Sequence, residues 1–455
     1  MLEILNPATL DPLGTVPDCG PGEVARAVAT ARAAQSEWRH VAAADRAALL
    51  SEIGARIRNR EGELATLLTR ETGKPLCESA DCIDAAAAVF EACAAQAPHD
   101  AGSPGGQPAG VVAAILPFNF PLLLMACTVA PAIAAGRTVV CKPPHQNPLS
   151  SLRLAEFFDA LPAGVLNVVT GGPATGRALV DHPDVGVVGF TGSAEVGRRI
   201  SAAAAHKRVD LELGGVDSFI VCRDADLDAS VPGIAWARLC NGGQACTSGN
   251  HIYVERPIAD EFVERMHHCV GFLDVDDPIK SATDLGPLIS LEAAHRVEDQ
   301  VGRSLRGGAT LILGGRRFKP SGLPGYFFQP TILSNVRPGG VPTREEILGP
   351  VITVTPVADA AEALRLAGAS AGEPGSVFGA SIYTSDVQGA LRAVEPYRTG
   401  TFRINDPATG AQAFGGMRHR GVRRALAGEQ ALHVAEVIAP KPWWFPYRDR
   451  PKRRL

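Results

Sequence analysis

The sequence predicts an α/β fold: a doubly wound parallel sheet followed by a second α/β unit. Three observations carry that prediction. Short apolar runs at Val111–Leu116, Thr138–Cys141, Val165–Val169 and Val187–Phe190 are separated by helical patterns at Leu122–Ala135 and Leu149–Asp159. A second set of runs starts near Asp217, at Phe219–Cys222, Ile252–Val254, Thr310–Leu313, Ile352–Pro356 and Ala380–Tyr383. Continuous apolar strands alternating with helices are the signature of a parallel sheet buried on both faces. The length, 455 residues, leaves room for roughly two or three domains.

Taken in order, the chain opens on helices. Val24–Trp38 carries Val24, Ala27, Val28 and Ala31 at helical spacing, and Ala42–Thr69 continues with Leu49, Leu50, Ile53, Ile57, Leu64 and Leu67. Gly73-Lys-Pro75 ends that pattern. A third helix runs through Ile83–Cys93, and the Gly/Pro-rich Asp100–Pro108 reads as a loop. Between Gly110 and Gly136 the clearly polar side chains are Asn119 and Thr128, over a length that would span a bilayer. Pro117, Pro121 and Pro131 oppose one long helix there, so the segment reads as a buried strand followed by a core helix. No repeat of fixed period is present. The tail Lys441–Leu455 holds two of the four Trp and six basic residues. A solvated end accounts for it more simply than a tether to RNA or membrane, because no second basic cluster accompanies it.

Composition narrows the function classes. Hydrophobic residues make up 46% and charged residues 20%, which excludes a disordered chain. The balance of 44 Lys+Arg against 48 Asp+Glu gives no broad electrostatic case for nucleic acid or an anionic membrane. Ten scattered Cys without a CxxC pair point to reduced thiols in a cytoplasmic protein and away from a metal centre. The N-terminus, Met1-Leu-Glu-Ile, lacks the basic and apolar regions of a secretory signal.

Several residues have types and settings suited to chemistry. Cys246, in Cys240-Asn-Gly-Gly-Gln-Ala-Cys-Thr-Ser-Gly-Asn250, is a nucleophile if accessible and a small core residue if not. Upstream glycines allow close backbone approach to a ligand. Glu212, inside the apolar Leu211-Glu-Leu-Gly-Gly215, is either a desolvated general base or a structural carboxylate. Asn119 in Leu116-Pro-Phe-Asn-Phe-Pro121 suits an oxyanion donor or a helix cap. Lys142 ends an apolar strand, where it meets phosphate or ribose oxygens or simply reaches solvent. Phe190-Thr-Gly-Ser-Ala-Glu-Val-Gly197 is a strand running into a helix start, a place for a pyrophosphate. It is not a G-x-G-x-x-G.

In this order the set resembles the aldehyde dehydrogenase superfamily over nearly the whole chain. The motifs include Asn6-Pro-Ala-Thr, Glu71-Thr-Gly-Lys-Pro75, Pro117–Pro121, Lys142-Pro143, Leu161–Gly171, His182-Pro, Phe190–Ser193 and Leu211–Gly215. Gly243–Cys246, Gly286–Ser290, Glu345–Val351 and Phe414–Gly416 follow. The resemblance implies a Rossmann-type cofactor domain over 1–212, with a shortened bridging-arm segment at 94–110. It implies an α/β catalytic domain over 213–418 and a C-terminal return segment and arm over 419–455. Cys246 matches the nucleophile, Glu212 the general base and Asn119 the side-chain half of the oxyanion hole. Leu116, Pro117, Phe118, Lys142, His145, Gly172, Gly176, Phe190, Gly192, Ser193, Val196, Leu213, Glu346 and Leu348 match contacts to NAD or NADP. Phe120, Leu123, Leu124, Cys127, Ala245, Thr247 and Phe414 match the substrate tunnel.

The activity so implied is oxidation of an aldehyde to its acid through a thioester on Cys246. Glu212 favours water over coenzyme A as acyl acceptor, since acylating relatives usually lack it. A non-catalytic protein on the same scaffold is the alternative from another class, opposed by the intact Asn119, Glu212 and Cys246. Several positions depart from the family pattern. Phe118 stands for Trp, Leu348 for Phe, Val216 for Lys, Arg423 for Gly, and Asp276 for the Gly before Asp277-Pro278. His145 occupies a position where NAD-preferring relatives often place Glu, which removes a repulsion against a 2′-phosphate and admits NADP. The short Gly/Pro segment after Cys93 replaces a longer arm, so a homodimer is expected and the family's usual tetramer is called into question. The apolar tunnel positions favour a neutral aliphatic or aromatic aldehyde, unless Arg403 points inward to clamp a carboxylate.

Overall fold

A computed structural model describes residues 1–96, 110–214, 217–246, 248–370, 379–394, 400–406 and, for the backbone, 432–436. The chain divides into two compact units, Met1–Gly214 and Gly215–Leu455.

The first unit begins with an antiparallel pair, β1 (Leu2–Leu5) and β2 (Pro12–Val16). Four helices follow: α1 (Pro21–Trp38), α2 (Ala43–Asn59), α3 (Glu61–Thr72) and α4 (Leu76–Gln96). The single helix expected over Ala42–Thr69 is therefore two. Arg60 leaves helical backbone at φ −120°, ψ 20°, while the apolar spacing runs unbroken across it, so periodicity alone could not reveal the break. Gly73, at φ 80°, closes α3 in the left-handed conformation that glycine adopts without a Cβ clash.

Alternation then sets in with β3 (Val111–Ile115), α5 (Pro121–Ala134), β4 (Val139–Lys142), α6 (Leu149–Ala155) and β5 (Leu166–Val168). It continues through α7 (Pro173–Asp181), β6 (Val185–Gly192), α8 (Ala194–Ala203) and β7 (Arg208–Leu213). The helix expected at Leu149–Asp159 is α6 plus a single 3₁₀ turn, Glu156–Phe158, which tucks Phe157 and Phe158 inward. The five strands form an all-parallel sheet in the order β5-β4-β3-β6-β7. Val111, Ala113 and Ile115 pack with residues of α1, α7 and α8. By the pleat, Val112 and Ala114 face the other side, where α5 lies on β3 and β4.

The second unit carries β8 (Ser218–Val221), α9 (Leu227–Leu239), β9 (His251–Glu255), α10 (Arg256–Val270), α11 (Leu291–Arg306) and β10 (Thr310–Leu313). After these come β11 (Thr331–Ser334), α12 (Val341–Arg344), β12 (Val351–Val357), α13 (Ala360–Ser370), β13 (Gly379–Tyr383), α14 (Val387–Val394), β14 (Gly400–Ile404) and β15 (Leu432–Glu436). They form an eight-stranded sheet in the order β10-β11-β12-β9-β8-β13-β14-β15. Its pairs are parallel except the edge pair β10–β11. His251, fully buried, shares hydrogen bonds with Thr353 Oγ1 at 2.6 Å and Thr355 Oγ1 at 2.7 Å, clasping β9 to β12. Burial pushes its imidazole down to about 3, so it stays neutral.

The segment Gly110–Gly136 is the strand β3 and the helix α5, and no helix among the described residues is long and apolar enough to cross a membrane. Pro121 opens α5, where a missing N–H costs nothing. The loop expected at Asp100–Pro108 and the basic tail at Lys441–Leu455 lie outside the described residues. Of the expected 419–455 segment, the described part is β15, which pairs with β14.

Glu71 staples α3 to α6. It is fully buried and accepts hydrogen bonds from Leu149 N (2.8 Å), Ser150 N (2.9 Å) and the Ser150 hydroxyl. Burial raises its carboxyl from 4.5 to about 7, overcoming the three donors, which lower it. Between those values the folded chain keeps a proton that the unfolded chain has released. The group therefore favours folding most below about 4.5, and its contribution is lost as pH rises through about 7. Denaturant titrations should find Glu71→Ala less stable by about 2–3 kcal/mol, because buried N–H donors lose their acceptor. Glu71→Gln should flatten the pH dependence of stability across that interval.

Candidate active site

In the first unit the expected cofactor residues gather at the carboxyl ends of the strands. Strand order reverses about β3, with β4 and β5 on one side and β6 and β7 on the other, which opens a crevice beyond β3 and β6. Leu116, Pro117 and Phe118 leave β3 there; Leu116 is buried and the other two half-buried. Asn147 Nδ2 donates to the Phe118 carbonyl at 2.8 Å, fixing that turn. Asn119 is buried, and its Oδ1 accepts from the Phe120 N–H at 3.1 Å. The expected alternative, a side-chain cap on α5, is not formed: Phe120 holds the cap position without a side-chain bond.

Lys142, at the end of β4, does not reach solvent. It is 5% exposed, its Nζ donates to the Pro143 carbonyl at 3.1 Å, and burial lowers its ammonium to about 8. Gly176, on α7, faces it: a Cβ there would lie 3.6 Å from Lys142 Cδ. Gly172 caps α7 and donates its N–H to Asp18 Oδ1 at 3.1 Å, and His145 is exposed in the turn after β4. Beyond β6, Ser193 caps α8, its hydroxyl accepting from Val196 N at 3.4 Å. At Gly192 a Cβ would come within 2.5 Å of the buried Phe190 ring. A glycine and an exposed serine at the start of a ten-residue helix suit a pyrophosphate, whose charge the free N–H groups and the helix dipole would meet. Val196 and Leu213 are exposed on either side. Glu212 is half-buried on β7, opposite Thr191 of β6.

Phe120, which caps α5, and Leu123 and Leu124 within it are buried, and Cys127 is half-buried. Behind them lies a residue that sequence reasoning treated as punctuation. Lys74 is 1% exposed, with its Nζ 3.8 Å above the Phe120 ring and donating to Cys82 Sγ at 3.1 Å. It backs the Asn119–Phe120 turn by a cation–π contact.

The second unit places Cys246 at the amino edge of its sheet, between α9 and β9. Here the chain reverses through three successive left-handed residues, Asn241 (φ 55°), Gly242 (φ 63°) and Gly243 (φ 73°). Cys246 itself is half-buried and Ala245 is buried. Neighbouring side chains hold the loop in place. Gln244 donates to the Asn241 carbonyl at 3.1 Å and accepts from Ile289 N at 3.0 Å. Asn250 Nδ2 donates to the carbonyls of Pro342 and Glu345, both at 2.9 Å, and its Oδ1 accepts from Ile347 N at 2.8 Å. Arg238 donates to the carbonyls of Gly243 (3.2 Å) and Ile347 (2.7 Å) and to Ser248 Oγ (3.1 Å). The Gly286–Ser290 and Glu345–Val351 motifs, distant in sequence, are thus fastened around the sulfur.

Glu346 and Leu348 are half-buried beside this loop. Burial raises the Glu346 carboxyl to about 7, with Arg238 pulling it down and Asp217 pushing it up. Glu345 does a different job: Arg303 grips it through two bonds of 2.6 Å and holds it below the usual carboxylate range. Arg403 is half-buried on β14 between the buried Phe402 and Ile404. Thr247 and Phe414 lie outside the described residues. Gln244 and Asn250 sit within a quoted motif and were legible as part of it; Arg238 was signalled only by a charge in an apolar helix.

A parallel sheet that reverses order at its centre, with a glycine–serine helix start at the reversal, is an arrangement suited to a dinucleotide. A family model carries this to a particular family. The model of the aldehyde dehydrogenase family matches residues 1–437. The 3,6-anhydro-α-L-galactose dehydrogenase of Streptomyces coelicolor is 38% identical over 96% of this chain and 91% of that protein. The NADP-dependent succinate-semialdehyde dehydrogenase of Escherichia coli is 36% identical over 93% of this chain and 90% of its own length. Glyceraldehyde-3-phosphate dehydrogenase of Methanocaldococcus jannaschii, solved with NADP, superposes with a TM-score of 0.83 at 31% identity, over 90% of this chain and 91% of that one. The chain belongs to the aldehyde dehydrogenase family, enzymes that oxidise aldehydes with NAD or NADP.

Gly243 tests the loop geometry. A Cβ there would sit 2.0 Å from the Gly349 carbonyl oxygen, and the φ is positive as well. Gly243→Ala should cost at least about 2 kcal/mol, from backbone strain and from driving the two segments apart. Thermal unfolding and kcat/KM for aldehyde oxidation should fall together.

Proposed function

We propose that the chain oxidises a neutral aliphatic or aromatic aldehyde to its carboxylic acid, with Cys246 as nucleophile, Asn119 as oxyanion donor and Glu212 as general base. The observation that carries this is the setting of Cys246: a half-buried thiol in a loop braced on both flanks by Arg238, Gln244 and Asn250. A sulfur needs that partial access to meet a substrate and that bracing to meet it in one orientation. The dinucleotide would be held by Leu116, Pro117, Phe118, Lys142, His145, Gly172, Gly176, Phe190, Gly192, Ser193, Val196, Leu213, Glu346 and Leu348, and it supplies the two-electron acceptor.

The chain's own residues do the rest. The Cys246 thiolate forms a bond to the carbonyl carbon. The Asn119 amide and the Cys246 backbone N–H stabilise the oxygen that becomes negative. The hold of Phe120 N–H on Asn119 Oδ1 supports this role, because it fixes which way the amide faces. Once the acyl group stands as a thioester on Cys246, Glu212 takes a proton from water. The hydroxide adds to the acyl carbon, and the carbon–sulfur bond breaks to return the thiolate. The half-buried position of Glu212 on β7 supports a base partly withdrawn from solvent.

A neutral substrate is favoured by the apolar Phe120, Leu123 and Leu124 at the start of α5. Ten free thiols support a reducing, cytoplasmic setting. We also infer a homodimer, from the shortened arm at 94–110, of which residues 97–109 lie outside the described part.

Mixing protein, NAD or NADP and an aldehyde panel should generate reduced nicotinamide, followed by absorbance. Cys246→Ala should lower the rate by about 10⁴-fold or more; turnover near the wild-type rate would remove the sulfur from its role. Glu212→Gln should release about one equivalent of reduced nicotinamide per chain and then stall, with the steady-state rate down about 10²–10⁴-fold. A steady-state rate equal to wild type would refute the base assignment.

A further inference from the structure

Arg238 is fully buried near the end of α9, and the acceptors its guanidinium binds are neutral: two backbone carbonyls and a serine hydroxyl. Its Nε has no hydrogen-bond partner. A buried cation held this way is costly, and an apolar side chain of similar volume would fill the space at less expense. The placing of the three acceptors suggests why a guanidinium is kept. Gly243 and Ser248 flank Cys246 in the chain, and Ile347 stands between Glu346 and Leu348. One arm of the rigid, planar fork therefore holds the sulfur loop on both sides, and the other holds the Glu346–Leu348 segment.

We propose that Arg238 is a positioning residue that joins the Cys246 loop and the Glu346–Leu348 segment into one mechanical piece, so that thiol reactivity and dinucleotide affinity depend on each other. The proposal rests on the roles given above to Cys246 and Glu346. Lysine would serve only one side, since a single ammonium is a point donor without the fork.

The test uses the full chain and two readouts that do not depend on turnover. The first is the rate at which iodoacetamide alkylates Cys246, followed by peptide mass, with and without NADPH. The second is the Kd for NADPH by nucleotide fluorescence. In wild type, NADPH should change the alkylation rate, and alkylation should abolish turnover. In Arg238→Met the alkylation rate without NADPH should change by about tenfold or more and the Kd rise by a similar factor, as expected when a buried charged donor is removed. The effect of NADPH on alkylation should collapse. Arg238→Lys should rescue one readout more than the other.

A variant with a lower Tm but wild-type alkylation and Kd would show that Arg238 merely fills the core, and would overturn the proposal. If Arg238→Met does not fold, Ser248→Ala removes a single acceptor. Both readouts should then move together by about threefold, and movement of only one would overturn the coupling. Wild-type protein that keeps full turnover after Cys246 is alkylated would overturn the nucleophile reading and this proposal with it. Inactivating alkylation combined with unmoved variants would overturn the proposal for Arg238 alone.

Discussion

The carbonyl oxygen of Gly349 lies where a side chain on Gly243 would have to begin. The arrangement of the second unit around its sulfur follows from that exclusion. Helix α9 delivers the chain to the amino edge of the sheet, and β9 must start there too. Only a tight left-handed reversal through Asn241, Gly242 and Gly243 connects them. The reversal packs directly onto the segment before β12, and Arg238 and Asn250 bind the two across the seam. Cys246 takes its position from these contacts to its loop.

The first unit solves its problem at the opposite edge. Its proposed ligand-facing residues stand at the carboxyl ends of parallel strands, where order reverses about β3. Lys142 and Glu346, one in each unit, are both shifted toward neutrality by loss of water, to about 8 and about 7. Groups poised there change charge near neutral pH, unlike His251, whose imidazole is held neutral by burial between two threonines. Lys74 shows a third use of a buried cation, as a support for the aromatic ring that follows Asn119.

Much of this could be read from the chain. Apolar runs gave most of the parallel strands, since a strand buried on both faces has little room for polar residues. The order of motifs gave the family, because so many short patterns in one order are specific. What escaped had weak local signals. The β1–β2 pair is exposed along much of its length, and β11 is four residues long and defined by partners far away in sequence. The break at Arg60 leaves the apolar period intact. Arg238 drew no reading from the sequence, because three neutral acceptors brought together by folding leave no spacing to recognise.

The enclosure of Lys142 carries a further consequence. An amine that loses its proton near pH 8 is partly a free base at neutrality, and free-base amines condense with aldehydes to imines. A protein that handles aldehydes therefore keeps a self-modification hazard beside its proposed cofactor residues. The bond from Nζ to the Pro143 carbonyl and a residue exposure of only 5% limit the approach to that nitrogen. The same burial that makes the amine reactive also shelters it from the compounds it would attack.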